Sequence, residues 1–162
     1  MTDESDVLRD KAAILVRMAE SRRALRSALD RATPAALEQP GAWGEWTIKD
    51  LLAHITYWQG VATDRLQKIA AGRMGDIVWI DEGEIDTLNA NVYQANKDRP
   101  LAEMREAFDV AYLTLRTAIK SLPPAVYAED QQPRPVRRWV AGNSYLHDEE
   151  HLEDVENVLR TT

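Results

Sequence analysis

Cysteine is absent from the 162 residues, which excludes disulfides, thiolate metal sites and a cysteine nucleophile. Basic charge is in deficit. Twenty Lys and Arg against 27 Asp and Glu leave a net charge of −7 and a pI of about 5.0. Proteins that hold nucleic acid or anionic lipid need a basic surface, so neither partner is expected. Long apolar runs are also missing. No stretch approaches the roughly 18 apolar residues of a membrane span, and the charged start MTDESDVLRD lacks the apolar segment of a secretory leader. A cytoplasmic address is the simplest expectation. Histidine is scarce: only His54, His147 and His151 occur, and two of them are four residues apart.

What is present is helical period. Apolar residues are 44% and charged residues 29% of the chain, a soluble globular mixture, and the length suits one domain over residues 1–162. A first helix is expected from about Glu4 to Arg31, with the stripe Leu8, Ala12, Leu15, Ala19, Leu25 and Leu29 buried and Arg and Glu opposite. Thr47 and Asp50 form a capping-box pattern that opens a second helix running to about Ala71. A third helical region spans Glu84 to Leu122, divided at Pro100. Residues 123–138 hold four prolines and are expected to be a long loop; the last helix then runs from Arg138 to Arg160. No alternating strand pattern appears. The expected fold is all-α, a four-helix bundle.

On the last helix, residues four apart differ by 40° in direction, so His147 and His151 share a face. That face also carries Val140, Val155 and Val158, so both rings are expected to point into the bundle. Two imidazoles one turn apart can grip one metal ion. His54 lies on the flank of the second helix's apolar stripe, beside Leu51 and Trp58. If the two helices run parallel, the three rings converge at one end; if antiparallel, they are far apart. Periodicity leaves the choice open. Three imidazoles would leave a coordination position free, which favours catalysis over a closed structural site.

Other residues carry alternatives. Asp154, three past His151, is a fourth ligand, an outer-shell acceptor or a solvated flank. Asp50 either orients His54 or serves only as a cap. Asp148 sits where zinc proteases of the His-Glu-x-x-His type carry glutamate, but its arm is shorter and no third downstream ligand follows. Trp43, Trp46, Trp58 and Trp139 wall a pocket or pack in the core and against loops. Asn89 and Tyr93 supply polar groups to that pocket or are satisfied locally, and Asn143 bonds substrate or caps the loop entry; Asp148, Asp154, Asn143 and Tyr93 are the candidate catalytic groups. Arg134, Arg137 and Arg138 attract an anionic group or form a solvated cluster.

The string Trp46-Thr-Ile-Lys-Asp50-Leu-Leu-Ala-His54, followed by Trp58, resembles the opening of the second helix in the DinB/YfiT-like four-helix proteins. Trp139-Val-Ala-Gly-Asn143-Ser-Tyr-Leu-His147-Asp-Glu-Glu-His151 is similar to the corresponding segment of the ClbS/DfsB branch, as are Asn89-Ala-Asn-Val-Tyr93 and Arg99-Pro100-Leu101. The resemblance covers roughly residues 5–160. It implies up-down-down-up topology and a divalent ion, commonly zinc or nickel, held by His54, His147 and His151. It also implies chemistry on small molecules. Members include thiol-dependent transferases and a maleylpyruvate isomerase, and the ClbS/DfsB branch opens an electrophilic cyclopropane for self-protection. One departure is Asp148, where the family often has an aromatic residue.

The function expected first is a metal-dependent hydrolase or thiol transferase that activates water or a small thiol against an electrophilic small molecule. The alternative is a non-enzymatic protein that sequesters a small toxic molecule. A third reading is a helical module that pairs with a second copy as a homodimer.

Overall fold

The computed structural model describes residues 4–130 and 133–162. Its helices are α1 (Lys11–Arg31), α2 (Pro34–Leu37), α3 (Ile48–Ala70), α4 (Ile85–Asn96), α5 (Leu101–Ser121), α6 (Ala125–Ala128), α7 (Val136–Gly142) and α8 (Tyr145–Thr161). No strand occurs among the described residues; a single bridge joins Trp43 and Trp46.

The helix starts have local causes. α3 opens as expected: the Thr47 side chain accepts from Asp50 N, and Asp50 Oδ2 accepts from the Thr47 N–H at 2.9 Å and its hydroxyl at 2.8 Å. Asp50 is thus a cap. α5 follows Pro100. α1 begins seven residues later than the sequence pattern suggests, because Asp10 caps it by accepting from Ala13 N at 2.8 Å. Upstream, Glu4–Asp6 forms only a 3₁₀ turn, and Leu8 N donates to the Tyr145 hydroxyl instead of to a helix carbonyl.

Two further expectations are corrected. The proline-rich stretch contains the short helices α6 and α7, with the Tyr127 hydroxyl donating to Ile119 O at 2.9 Å; residues 131 and 132 of that stretch lie outside the described set. The last helix is also broken, at Asn143–Ser144. There the Asn143 amide donates to Trp139 O at 2.6 Å and the Ser144 hydroxyl to Val140 O at 2.6 Å. The same two carbonyls also accept the Asn143 backbone N–H, and the Ser144 N–H turns to Ala141 O; Ser144 leaves helical geometry (φ −133°, ψ −106°).

Four long helices, α1, α3, α5 and α8, make the bundle, with α3 along α5 and α1 along α8 as its principal pairs. Two apolar clusters show their directions. One gathers Ile14 and Met18 of α1, Leu66 of α3, Leu115 and Ile119 of α5 and Tyr145 of α8. The other gathers Leu25 and Leu29, Leu51 and Ile55, Phe108, and Val155 and Val158. α1 and α8 therefore run from the first cluster to the second, and α3 and α5 run back: up-down-down-up. α3 and α8 are antiparallel. The histidines lie beside the second cluster: His54 falls between Leu52 and Ile55, and His151 stands one turn before Val155.

Candidate metal centre

Antiparallel helices were expected to separate the rings, yet they meet. The reason is the register of the two helices: Leu51 and Ile55 of α3 share a cluster with Val155 and Val158 of α8, so His54, between the first two, stands beside the helix face that carries His151 and His147 one and two turns before Val155.

All three histidines are buried. His54 Nε2 lies 2.9 Å from His147 Nε2, which lies 3.1 Å from His151 Nε2. Ligand atoms from all three are within 4.8 Å of one another. With metal–nitrogen bonds of about 2.0–2.1 Å, two imidazole nitrogens at right angles around an ion stand about 3.0 Å apart. The two short contacts match that spacing.

Proton arithmetic points the same way. His151 Nδ1 lies 2.7 Å from Asp154 Oδ2, so Nδ1 carries the proton and a neutral ring leaves Nε2 bare. Two hydrogen bonds along the Nε2 row would then require His147 Nε2 to donate and accept at once, which a neutral ring nitrogen cannot do. Charging a ring is opposed. Burial, followed by the neighbouring His151, pushes His54 down to about 3. Burial, then His151 and His54, holds His147 well below the usual imidazole range. A cation at the Nε2 row, with the ring protons on the outer nitrogens, removes that conflict. Asp154 is the outer partner of His151, acting through the nitrogen away from the cluster. Asp154→Asn is therefore expected to weaken binding of an added divalent metal about 10–100-fold, measured by competition with a chromophoric chelator; unchanged affinity would remove Asp154 from the site.

The cluster opens on a cavity of about 410 Å³, lined by Trp43, Trp58, Ile85, Asn89, Gly142, Asn143 and Glu150 beside the three histidines. Trp58 Nε1 donates to Asn89 Oδ1 at 2.9 Å, fixing both side chains.

Residues 17–155 match the sequence model of the DinB superfamily. The chain belongs to the DinB superfamily. Its fold is similar to that of an uncharacterised protein from Escherichia coli UTI89 (TM-score 0.84, 11% identity, 98% of this chain and 97% of that one). It is also similar to the solved structure titled sibling lethal factor precursor DfsB (TM-score 0.79, 14% identity, 94% of this chain and 96% of that one). At these identities the likeness is one of fold. No curated protein matches significantly.

Within this DinB bundle the remaining candidates divide. Trp43, Trp58, Asn89 and Asn143 lie on the histidine cavity. Trp46 and Tyr93 stack on each other, ring centroids 5.5 Å apart, and line an adjoining cavity of about 330 Å³ that shares Trp43 and Asn89 with the first. Trp139 lines a different cavity, against Trp79. Asp148 does not line the cavity; it is 1% exposed and takes Arg22 Nε and an Arg22 terminal nitrogen at 2.8 and 3.1 Å. Burial raises its pKa against the pull of Arg22. That guanidinium also donates to Phe108 O at 3.1 Å and lies 3.8 Å from the centre of the Phe108 ring. Arg22 therefore ties α1 and α5 to the first turn of α8, next to His147.

Glu150 was not singled out by sequence reasoning. It is the carboxylate in the histidine cavity wall, and its position three residues after His147 on a common face was the available signal.

Proposed function

We propose that this DinB protein is a divalent-metal-dependent enzyme that activates water or a small thiol for attack on an electrophilic small molecule, as a hydrolase or thiol transferase. The observation that carries the proposal is the convergence of three buried imidazole nitrogens, without a consistent set of protons, in the wall of an open cavity. His54, His147 and His151 would hold the ion, zinc or nickel by the chemistry of an all-nitrogen donor set. Bound there, such an ion lowers the pKa of a coordinated water or thiol and polarises an electrophile.

The chain's own groups do the rest. Asp154 fixes the His151 tautomer that offers Nε2 inward. Burial keeps His54 and His147 neutral and their lone pairs available at pH 7. Trp43 and Trp58 supply apolar walls that exclude bulk water from one side of a substrate. Glu150 is the proton acceptor within the cavity wall, and Asn89 and Asn143 are the neutral polar groups available to orient a substrate.

Elemental analysis of protein purified without added chelator tests the reading. About one zinc or nickel per chain is expected. Chelation should abolish hydrolysis or thiol addition on an electrophilic probe such as an epoxide or maleate ester, and re-addition of the metal should restore it. Metal-free protein that binds the probe with undiminished affinity and never turns it over would establish sequestration instead.

A further inference from the structure

A second cavity, of about 430 Å³, shares no lining residue with the histidine cavity. It is lined by Arg65, Trp79, Ile80, Pro133, Arg134, Pro135, Arg138 and Trp139. Its centre of interest is Arg65, which stands eleven residues after His54 on α3, about 16 Å along the helix at about 1.5 Å per residue.

Arg65 is only 7% exposed. Its guanidinium lies 4.7 Å from the Trp79 ring centre and 5.8 Å from that of Trp139. It makes no hydrogen bond or ion pair with any described residue, and its Nε is buried without an acceptor. The nearby Asp64 carboxylate is engaged by Lys68 at 2.7 Å. Trp139 Nε1, also buried, likewise lacks an acceptor. A second guanidinium, that of Arg134, lies 4.8 Å from the Trp79 ring on the same cavity wall.

Buried cations are ordinarily paired, because the desolvation of an unpaired one costs several kcal/mol. The other buried arginines obey this rule: Arg22 has Asp148, and Arg137 has Asp130 and Glu129 O. Arg65 does not, and Arg134 makes matters worse by adding like charge, so that burial and then Arg134 lower the Arg65 pKa. Indole faces recover part of the cost, but they leave the Arg65 Nε–H and the Trp139 N–H unsatisfied. In a chain of net charge −7, this is a concentration of donors and positive charge around an apolar recess.

We propose that this cavity is a binding site for an oxyanion, a carboxylate or a phosphate, carried on a small molecule with a flat apolar body. Arg65 and the Trp139 N–H bond the oxyanion, Arg134 adds charge at the rim, and the indoles of Trp79 and Trp139 contact the body. The site stands on these residues alone and is independent of the metal reading.

Indole N–H resonances of ¹⁵N-labelled protein provide the test, since only 5 tryptophans are present. Benzoate and phenyl phosphate are titrated separately, at constant ionic strength set with sodium chloride. The Trp139 signal, identified by its loss in Trp139→Phe, is expected to move saturably with one or both. The responding probe identifies the oxyanion. Arg65→Gln should weaken the response at least tenfold. Arg134→Gln, at an exposed position where misfolding is not at issue, should weaken it about threefold or more. Chelation of metal should leave the titration unchanged, which separates failure here from failure of the metal proposal. A Trp139 signal indifferent to both probes, or an equal response in Arg65→Gln and Arg134→Gln, would overturn the proposal.

Discussion

Arg22→Leu is expected to destabilise the protein by about 3–5 kcal/mol, the cost of leaving one member of a buried ion pair alone. For a chain of this size that lowers Tm by roughly 6–20 °C. The cause is specific. Asp148 is 1% exposed on its side chain and Arg22 3%, and Arg22 supplies both of the side-chain bonds to that carboxylate. Without it Asp148 must protonate or draw water into the core. The variant also loses the bond to Phe108 O and the face-on contact with the Phe108 ring. Arg22→Leu combined with Asp148→Leu should recover most of the loss, because the orphaned charge is gone. Denaturant melts of the two single variants and the double give the coupling. An Arg22→Leu protein within about 1 kcal/mol of the parent would mean that the pair is not what holds α1 to α8.

His54→Leu should do the reverse: a large effect on metal and almost none on the fold. Loss of a direct ligand is expected to exceed the roughly 100-fold loss typical of an outer-shell partner. The metal-free protein should be about as stable as its parent, because His54 Nε2 sits 2.9 Å from another imidazole nitrogen that has no consistent proton to share. Removing that liability offsets the lost packing. Metal titration and thermal melts in chelator measure the two effects separately. A His54→Leu variant that binds metal like the parent, or that melts as early as Arg22→Leu, would show that the ring is structural.

The contrast between these variants reflects how far the sequence could be read. The starts of α3 and α5 were legible, because Thr47, Asp50 and Pro100 act through neighbours three or fewer residues away. Shared direction of His147 and His151 followed from the helical period alone. Their meeting with His54 was not derivable from period. It depends on the register of α8 against α3, visible where Leu51 and Ile55 share a cluster with Val155 and Val158, and the period of one helix carries no information on its register against another. The start of α1 differs from the apolar pattern because Asp10 caps the helix after Leu8. Arg22 read as part of a solvated face; its burial is intelligible only once Asp148, 126 residues away, lies opposite. Trp139 was grouped with the histidines by nearness in sequence, but α7 turns it toward Trp79.

Five of the residues that face the histidine cavity from outside the metal cluster, Trp43, Trp58, Ile85, Asn89 and Glu150, belong to none of the three apolar clusters that hold the bundle together. Selection can therefore exchange them without touching the scaffold, so related chains are free to drift in what they accept while retaining one architecture. A library confined to those positions would sample new specificities at little risk of collapse.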